Sequence, residues 1–186
     1  MKIGNSQVDQ TVVVYGDGPV VIGDRSRIDA GVVITAGPRG VYIGDNVHIA
    51  RGCILAGGSG QIVFEDFSCS GADSKFFTAS EDAFWGMTNP TIPEEFRRPK
   101  TGDIHIGRHA LIYANVIICP GARIGDGAGV GAFTIVKSDI QSEEMVVGIP
   151  TRSIGKRNLS QMVDLEKQYL YSLKHGPVAR LMEWNG

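Results

Sequence analysis

Histidine is the side chain that most readily moves a proton near neutral pH, because its ordinary pKa lies there. The chain contains four of them, at His48, His105, His109 and His175. His48 and His105 each directly precede an isoleucine, and alternation along a β-strand turns the residue before an inward isoleucine outward. An outward imidazole can serve as a general base toward a bound acceptor. His109 falls at a predicted corner, and His175 lies in a stretch without a pattern.

Two neighbouring carboxylates form a second candidate for proton transfer. Glu81 and Asp82 begin an irregular segment, residues 79–103, that holds three of the eight prolines together with charged and aromatic residues. A carboxylate acts as a base when its pKa is raised, and it can instead orient His48 or bind an ammonium or hydroxyl group of the acceptor. These interpretations stay open. A segment of this length is typical of a binding-site wall, and we expect it to contact the acceptor through Trp85, Asn89 and Arg97.

A six-residue repeat must position these side chains. In residues 104–136 an aliphatic residue returns at every sixth position, and a small or slim residue lies four positions after each of the first five. The aliphatic positions are Ile106, Ile112, Ile118, Ile124, Val130 and Val136. An α-helix repeats at about 3.6 residues and a half-buried strand at about 2, so this period fits neither alone. It predicts an all-β solenoid, a parallel β-helix with three hexads per triangular turn, and it disfavours an ordinary sandwich, which would not hold the phase.

The same repeat extends over most of the chain. Further coils are predicted to start at Ile22, Ile43 and Phe64, and residues 3–21 form a degenerate first coil, because terminal repeats cap the stack. The repeat loses phase over residues 79–103, ends near Ile140 and is closed by Gly148-Ile149-Pro150. Inward small positions are predicted at Ser26, Val32, Val47, Cys53 and Ser59.

The C-terminal part changes pattern. Residues 158–174 carry apolar side chains at three-to-four spacing and predict an α-helix, with Asn158 or Ser160 as its N-cap. We therefore divide the chain into a β-helix domain, residues 1–157, and a C-terminal helix and tail, residues 158–186. The last dozen residues, including Trp184, are uninformative.

Composition excludes several classes of function. The chain has 186 residues and a net charge of −2, which predicts neither nucleic-acid binding nor attraction to an anionic membrane. No apolar stretch approaches about 18 residues, so we expect no membrane span, and the start lacks the pattern of a signal peptide. The three cysteines, Cys53, Cys69 and Cys119, show no paired or metal-type spacing. An odd count without an export signal favours a cytoplasmic location.

Specific stretches resemble a known family. The runs IGRHALIYANVIICPGARIGDGAGVGAFTIV and VVGIPTRSIGKR resemble the hexapeptide-repeat acyltransferases of the left-handed β-helix type. The segment SEDAFWGMTNPTIPEEFRR is similar to the loop of bacterial sugar acetyltransferases associated with O-antigen, capsule and lipopolysaccharide synthesis. The resemblance implies transfer of an acetyl group from acetyl-CoA to a hydroxyl or amino group of a sugar or nucleotide-linked sugar. It also implies a homotrimer with active sites between subunits.

The resemblance assigns roles to individual residues. VHIA at residues 47–50 resembles this subgroup, so we prefer His48 as the base, whereas galactoside and maltose acetyltransferases place their catalytic histidine at the start of the loop, where this chain has Glu81 and Asp82. By resemblance, the backbone at Ala114, Gly131 and Ala132 binds the pantetheine arm. The phosphates of CoA are assigned to basic side chains: Lys137, Arg152, Lys156 and Arg157.

Two alternative functions stay open. γ-Type carbonic anhydrases share the solenoid and hold zinc through histidines, but His105 and His109 would lie on a strand and a corner rather than on one face, and we expect no metal. A non-catalytic scaffold is the other alternative, although a basic tail and an aromatic loop serve no evident purpose there. Zinc analysis tests the first alternative, and titration with acetyl-CoA tests the second.

Overall fold

The computed structural model describes residues 1–176 and shows a parallel β-helix of six triangular coils. Each coil gives one short strand to each of three sheets, and stacked strands run parallel. Coils 1 and 2 contain β1 (Lys2–Ile3), β2 (Gln7–Val8), β3 (Val13–Tyr15), β4 (Val20–Ile22), β5 (Arg27–Ile28) and β6 (Val33–Ala36). Coils 3 and 4 contain β7 (Val41–Ile43), β8 (His48–Ile49), β9 (Ile54–Gly57), β10 (Ile62–Phe64), β11 (Cys69–Ser70) and β12 (Lys75–Phe77).

The irregular segment leaves the solenoid after coil 4, as predicted. Its two ends pair as an antiparallel hairpin of β13 (Ala79–Ser80) and β14 (Lys100–Thr101), and a 3₁₀ turn, η1 (Glu94–Phe96), lies within it. We call residues 81–99, between these strands, the excursion loop. Most of its side chains are exposed, so the hairpin is its main attachment to the scaffold.

The solenoid then resumes for two coils and a partial seventh. Coils 5 and 6 contain β15 (Ile104–Ile106), β16 (Leu111–Ile112), β17 (Ile117–Ile118), β18 (Arg123–Ile124), β19 (Gly129–Val130) and β20 (Ile135–Val136). Ile140 forms a bridge to Ile124, and β21 (Glu144–Val147) adds to the second sheet before turning into antiparallel β22 (Arg152–Lys156). The predicted closure at Gly148-Ile149-Pro150 is the turn between these last two strands.

One column of aliphatic side chains fills the prism. The inward positions of the repeat, such as Ile49 and Ile112, are fully buried, and so are the predicted small positions Val47 and Cys53. The prediction for Ser59 is wrong, because this residue is exposed in the turn between β9 and β10. The interval from Leu55 to Phe64 is longer than one hexad, and its extra residues extend the turn away from the core.

The predicted helix is α1 (Leu159–His175), and its N-cap is Asn158, whose side-chain oxygen accepts from the backbone N–H of Gln161 at 3.0 Å. The helix lies along the corner between the first and second sheets. Leu159 packs beside Gly127 of coil 6, and Tyr169 donates to Asn46 of coil 3 at 3.0 Å. The predicted tail, with Trp184, lies outside the described residues. Within residues 1–176 no helix has the length and apolarity needed to cross a lipid bilayer.

Candidate functional site

The excursion loop is fastened at its base by charged side chains. Glu81 accepts from Arg97 at 3.0 Å, so the two ends of the loop are joined beside the β13–β14 hairpin. Asp82 accepts from the backbone N–H of Phe84 at 3.0 Å and lies 3.7 Å from the ammonium group of Lys100. Glu81 and Arg97 therefore hold the loop, while Asp82 fixes the turn that follows it.

Two cavities adjoin along the third sheet, where the loop base meets the last coils. The first has a volume of about 390 Å³ and is lined by Ser80, Glu81, Ala83, Phe84, Lys100, Cys119, Pro120 and Lys137. The second, also about 390 Å³, is lined by Ile135, Lys137, Ser138, Ile149, Pro150 and Thr151. Lys137 borders both cavities. A cation thus stands between the loop base and the closing turn of the solenoid, where it could neutralise a bound phosphate.

His48 lies outward on the second sheet, as the alternation predicted. Its strand β8 sits between β5 and β11, with Arg27 in register on one side and Cys69 on the other. The imidazole Nε2 lies 2.9 Å from Oδ2 of Asp29, and Arg27 also pairs with Asp29 at 2.9 Å. Although burial alone would raise the pKa of the Asp29 carboxyl, His48 and Arg27 together hold it below its ordinary value.

The structure places the other three histidines in separate surroundings, two of them beside a carboxylate. His105 lies 2.7 Å from Glu65 on the first sheet, and His109 lies 2.7 Å from Glu166 of α1. His109 adopts a left-handed backbone, with φ of +59°, at the predicted corner. His175 ends α1 and stacks on Tyr171. Among residues 1–176 no group of three His, Cys, Asp or Glu side chains has the geometry of a metal site.

The residues predicted to bind CoA divide into two groups. Lys137, Arg152 and Lys156 are exposed around the last coil and β22, so their charges are available to a ligand. Arg157 is instead half-buried, and its Nη1 donates to the carbonyls of His109, Gly127 and Ala128 at 2.9–3.0 Å. Arg157 thus ties the segment before α1 to coil 6, and burial lowers the pKa of its guanidinium.

The three small positions predicted for the pantetheine arm also differ among themselves. Ala132 is exposed, Ala114 is half-buried and Gly131 is buried. A Cβ at Gly131 would lie 2.5 Å from Cγ1 of Val147, so the absence of a side chain lets β21 approach coil 6. Close packing of β21 on coil 6 therefore explains why residue 131 is glycine. Ala132 is the exposed position of the three and has the smallest side chain after glycine.

The three loop residues predicted to contact the acceptor have different surroundings. The ring of Trp85 is half exposed and lies under the guanidinium of Arg98, 5.6 Å from the ring centroid. Asn89 accepts from the backbone and hydroxyl of Thr91. Arg97 is held by Glu81. Trp85 is therefore the one of the three that presents a large free surface.

Sequence reasoning missed Asp29 and Cys69, which flank His48. Arg27, His48 and Cys69 follow one another at intervals of 21 residues on the second sheet. Since 21 residues is the length of one coil here, the sequence could have predicted that these three side chains lie next to one another on the outer face. Asp29 lies one inward residue after Arg27 and returns to the outward face. Because coil length varies through the chain, the strand register is needed to establish which outward side chains are neighbours.

Comparison with known proteins identifies the repeat. Residues 103–138 match the family model "Bacterial transferase hexapeptide (six repeats)", and residues 12–36 match "Hexapeptide repeat of succinyl-transferase". The chain is 29% identical to the dTDP-4-amino-4,6-dideoxy-D-glucose acyltransferase of Escherichia coli, over 89% of this chain and 85% of that protein.

Solved structures extend the match to the whole fold. A point variant of AntD, an N-acyltransferase from Bacillus cereus in complex with dTDP and coenzyme A, is 33% identical, with a TM-score of 0.85 over 92% of this chain and 90% of that one. A second AntD variant, in complex with dTDP-4-amino-4,6-dideoxyglucose and coenzyme A, matches equally well. These matches confirm the left-handed β-helix with one C-terminal helix that the sequence predicted. The chain is an acyltransferase, and it belongs to the sugar-acylating branch of the hexapeptide-repeat family.

Proposed function

We propose that the chain transfers an acetyl group from acetyl-CoA to the amino group of a nucleotide-linked amino sugar. The observation that carries this proposal is the match to AntD, which extends over nine-tenths of both chains and includes a structure with an aminosugar nucleotide and coenzyme A bound. The E. coli relative, whose name specifies the same type of acceptor, supports it independently. An amine also suits the site, since a nitrogen nucleophile needs less help from a base than a hydroxyl does.

The donor is proposed to lie along the two cavities that share Lys137. Exposed cations around the last coil, Lys137, Arg152 and Lys156, are available for the phosphates of CoA. The acyl thioester then points toward the loop base, where the cavity is bordered by Glu81 and Lys100. The excursion loop, with Trp85, is the proposed wall of the acceptor site.

The proposed reaction transfers the acyl group directly from CoA to the amine. The amine nitrogen attacks the thioester carbonyl, the carbon–sulfur bond to CoA breaks, and the CoA sulfur takes up the proton that the nitrogen loses. His48 is our preferred base, and Asp82 is the alternative at the loop. His48 and the loop lie on different sheets, so we propose that they meet between subunits of a homotrimer. Such an enzyme uses cytoplasmic acetyl-CoA, and we propose that compartment for it.

The function is tested by measuring CoA release with dTDP-4-amino-4,6-dideoxyglucose and with the same nucleotide sugar carrying a hydroxyl in place of the amine. We expect acetyl transfer to the amine and at least about tenfold slower transfer to the hydroxyl. Faster transfer to the hydroxyl would make the chain an O-acetyltransferase. No transfer to any of a panel of nucleotide sugars, with no saturable acetyl-CoA binding, would favour a scaffold. A requirement for stoichiometric zinc would favour a function like that of the γ-type carbonic anhydrases.

A further inference from the structure

A small side chain interrupts a column of larger ones on the outward face of the third sheet. Strands β12, β17 and β20 stack in register, so Phe77, Cys119 and Lys137 occupy the same position in coils 4, 5 and 6. Each follows a fully buried inward residue, and alternation turns it outward. Neighbouring strands lie about 4.8 Å apart, so the short side chain of Cys119 stands between two longer ones. The face therefore has a notch at Cys119.

This notch belongs to the cavity at the base of the excursion loop, which we call the loop-base cavity. Cys119 and Pro120 line it from the solenoid, and Ala83 and Phe84 line it from the loop. Phe84 is 95% exposed, so its ring packs on little else within residues 1–176 and has apolar surface free to cover a ligand. Apolar side chains of the solenoid and of the loop thus border the same space.

The thiol of Cys119 is an uncharged part of this lining. It is half-buried, and burial raises the pKa of the thiol, although the nearby ammonium of Lys137 opposes this. At neutral pH the thiol is therefore protonated, and a protonated cysteine behaves as a small hydrophobic side chain. Such a surface suits a hydrocarbon chain.

The loop-base cavity is larger than an acetyl group requires. Its volume is about 390 Å³. With roughly 30 Å³ for each non-hydrogen atom, which is the share of a water molecule in the liquid, an acetyl group occupies about 90 Å³ and a butyryl group about 150 Å³. Room therefore remains for a longer acyl chain together with the thioester sulfur and the attacking amine.

We propose that the notch at Cys119 holds the acyl chain of the donor, that it admits straight chains of up to about four carbons besides acetyl, and that Cys119 sets this limit. The inference rests on the proposed function, in which the thioester of the donor points toward the loop base. The amine attacks the thioester carbonyl directly, as for acetyl-CoA, and only the chain attached to that carbonyl differs. Each methylene buried against the apolar lining should strengthen binding about fourfold.

The first experiment measures binding in the notch without turnover. CoA thioethers that carry an S-ethyl or an S-butyl group cannot transfer their chain, and isothermal titration calorimetry gives their Kd. We expect the native protein to bind S-butyl-CoA about tenfold more tightly than S-ethyl-CoA, because two further methylenes are buried. Equal or weaker binding of S-butyl-CoA would overturn the proposal.

Variants then test whether Cys119 sets the chain length. Cys119→Leu fills the notch and Cys119→Ala deepens it. The ratio of kcat/KM for butyryl-CoA to that for acetyl-CoA should fall about tenfold or more in Cys119→Leu and rise in Cys119→Ala. This ratio is internal to each variant, so a general loss of activity does not change it, and circular dichroism and Tm show whether each variant folds.

The matched control adds the same side chain elsewhere on the third sheet. Ala56→Leu lies on the outward face two coils from Cys119 and outside the lining of the loop-base cavity, so the ratio should stay as it is. An unchanged ratio in both Cys119 variants, or an equal fall in Ala56→Leu, contradicts the role of Cys119.

Turnover with the amino sugar separates this inference from the proposed function. If the native protein transfers acetyl to the amine but butyryl at least about tenfold more slowly, the notch proposal is wrong and the proposed function stands. If S-butyl-CoA binds more tightly as expected but no nucleotide sugar is acylated, the proposed function is wrong and the notch proposal stands.

Discussion

The carboxylate of Glu166, on helix α1, lies 2.7 Å from Nε2 of His109 at a corner of coil 5. The preceding residue, Arg108, donates to the same carboxylate through Nε at 3.0 Å and through Nη2. The Glu166 and His109 side chains are each 10% exposed. Arg108 also binds Asp66 of coil 4 at 2.9 Å, so one carboxylate of the helix is tied to two coils. This cluster fixes α1 on the solenoid.

Replacing Glu166 by Gln should lower the free energy of unfolding by about 1–3 kcal/mol, because charge-assisted hydrogen bonds to a half-buried partner are lost. Urea denaturation followed by circular dichroism measures the change. The matched control is Asp164→Asn on the same helix, whose pair with Lys167 is exposed on both sides. That control should change stability by less than about 0.5 kcal/mol. Equal effects in the two variants would mean that the cluster does not anchor the helix.

The same carboxylate makes stability depend on pH. The hydrogen bond from Arg108, and then that from His109, holds the pKa of Glu166 below its ordinary value. A carboxyl group whose pKa is lower in the folded than in the unfolded protein stabilises the fold. This stabilisation is fully present above the pKa of the unfolded state and is lost as the pH falls through the pKa of the folded state. The native chain should therefore lose stability below about pH 4.5, and Glu166→Gln should lose less over the same interval. The difference between the two urea titrations isolates Glu166 from Asp29, whose pKa is also lowered. Parallel curves would contradict the assignment.

The periodic part of the chain was predictable because its physics is local. An inward aliphatic residue at every sixth position specifies strand, turn and burial together, so the coils at Ile22, Ile43 and Ile106 were placed correctly. Ser59 was misplaced, since a longer corner interrupts the phase there. The contact of Glu166 with Arg108 spans 58 residues and depends on the path of the helix, which no short-range pattern encodes.

The candidate site was less predictable for the same reason. His48 was correctly expected to face outward, but its partner Asp29 lies 19 residues earlier and is set by strand register. The sequence predicted that Arg157 binds a phosphate of CoA, but in the folded chain its guanidinium donates to backbone carbonyls. The meeting of His48 with the excursion loop depends on a neighbouring subunit, and it stays a prediction.

The general base is tested by two variants. His48→Ala should lower kcat for acetyl transfer by about 10²-fold or more, because a positioned general base contributes at least that much to the rate. Asp82→Asn keeps the cap on Phe84 and should have a smaller effect on kcat. His175→Ala, at the C-terminal end of α1, is the control for loss of a histidine outside the second sheet. Near-native turnover in His48→Ala together with inactive Asp82→Asn would assign the base to Asp82.

The donor cavities are tested at Lys137. Lys137→Met keeps the length of the side chain and removes its charge, so we expect the KM for acetyl-CoA to rise about tenfold with kcat nearly unchanged. The effect should shrink as salt is raised, because exposed charges are screened. Lys174→Met, exposed on the last turn of α1, is the matched control and should leave KM as it is. An unchanged KM in Lys137→Met would move the CoA phosphates away from this cavity.

Phe133 adopts a left-handed backbone conformation that phenylalanine disfavours. Its φ is +57° and its side chain is 70% exposed, so it carries left-handed strain without burying its ring in the chain. The equivalent corner one coil earlier is Asn115, with φ of +59°, and asparagine tolerates this region. Phe133→Asn should therefore raise the free energy of unfolding by about 0.5–1 kcal/mol, measured by urea denaturation at several protein concentrations. Strain of this kind persists where function requires the side chain. If the variant is instead less stable and light scattering shows a smaller particle, then Phe133 is an anchor of the proposed trimer, and the strain is offset by burial of its ring against a neighbouring subunit.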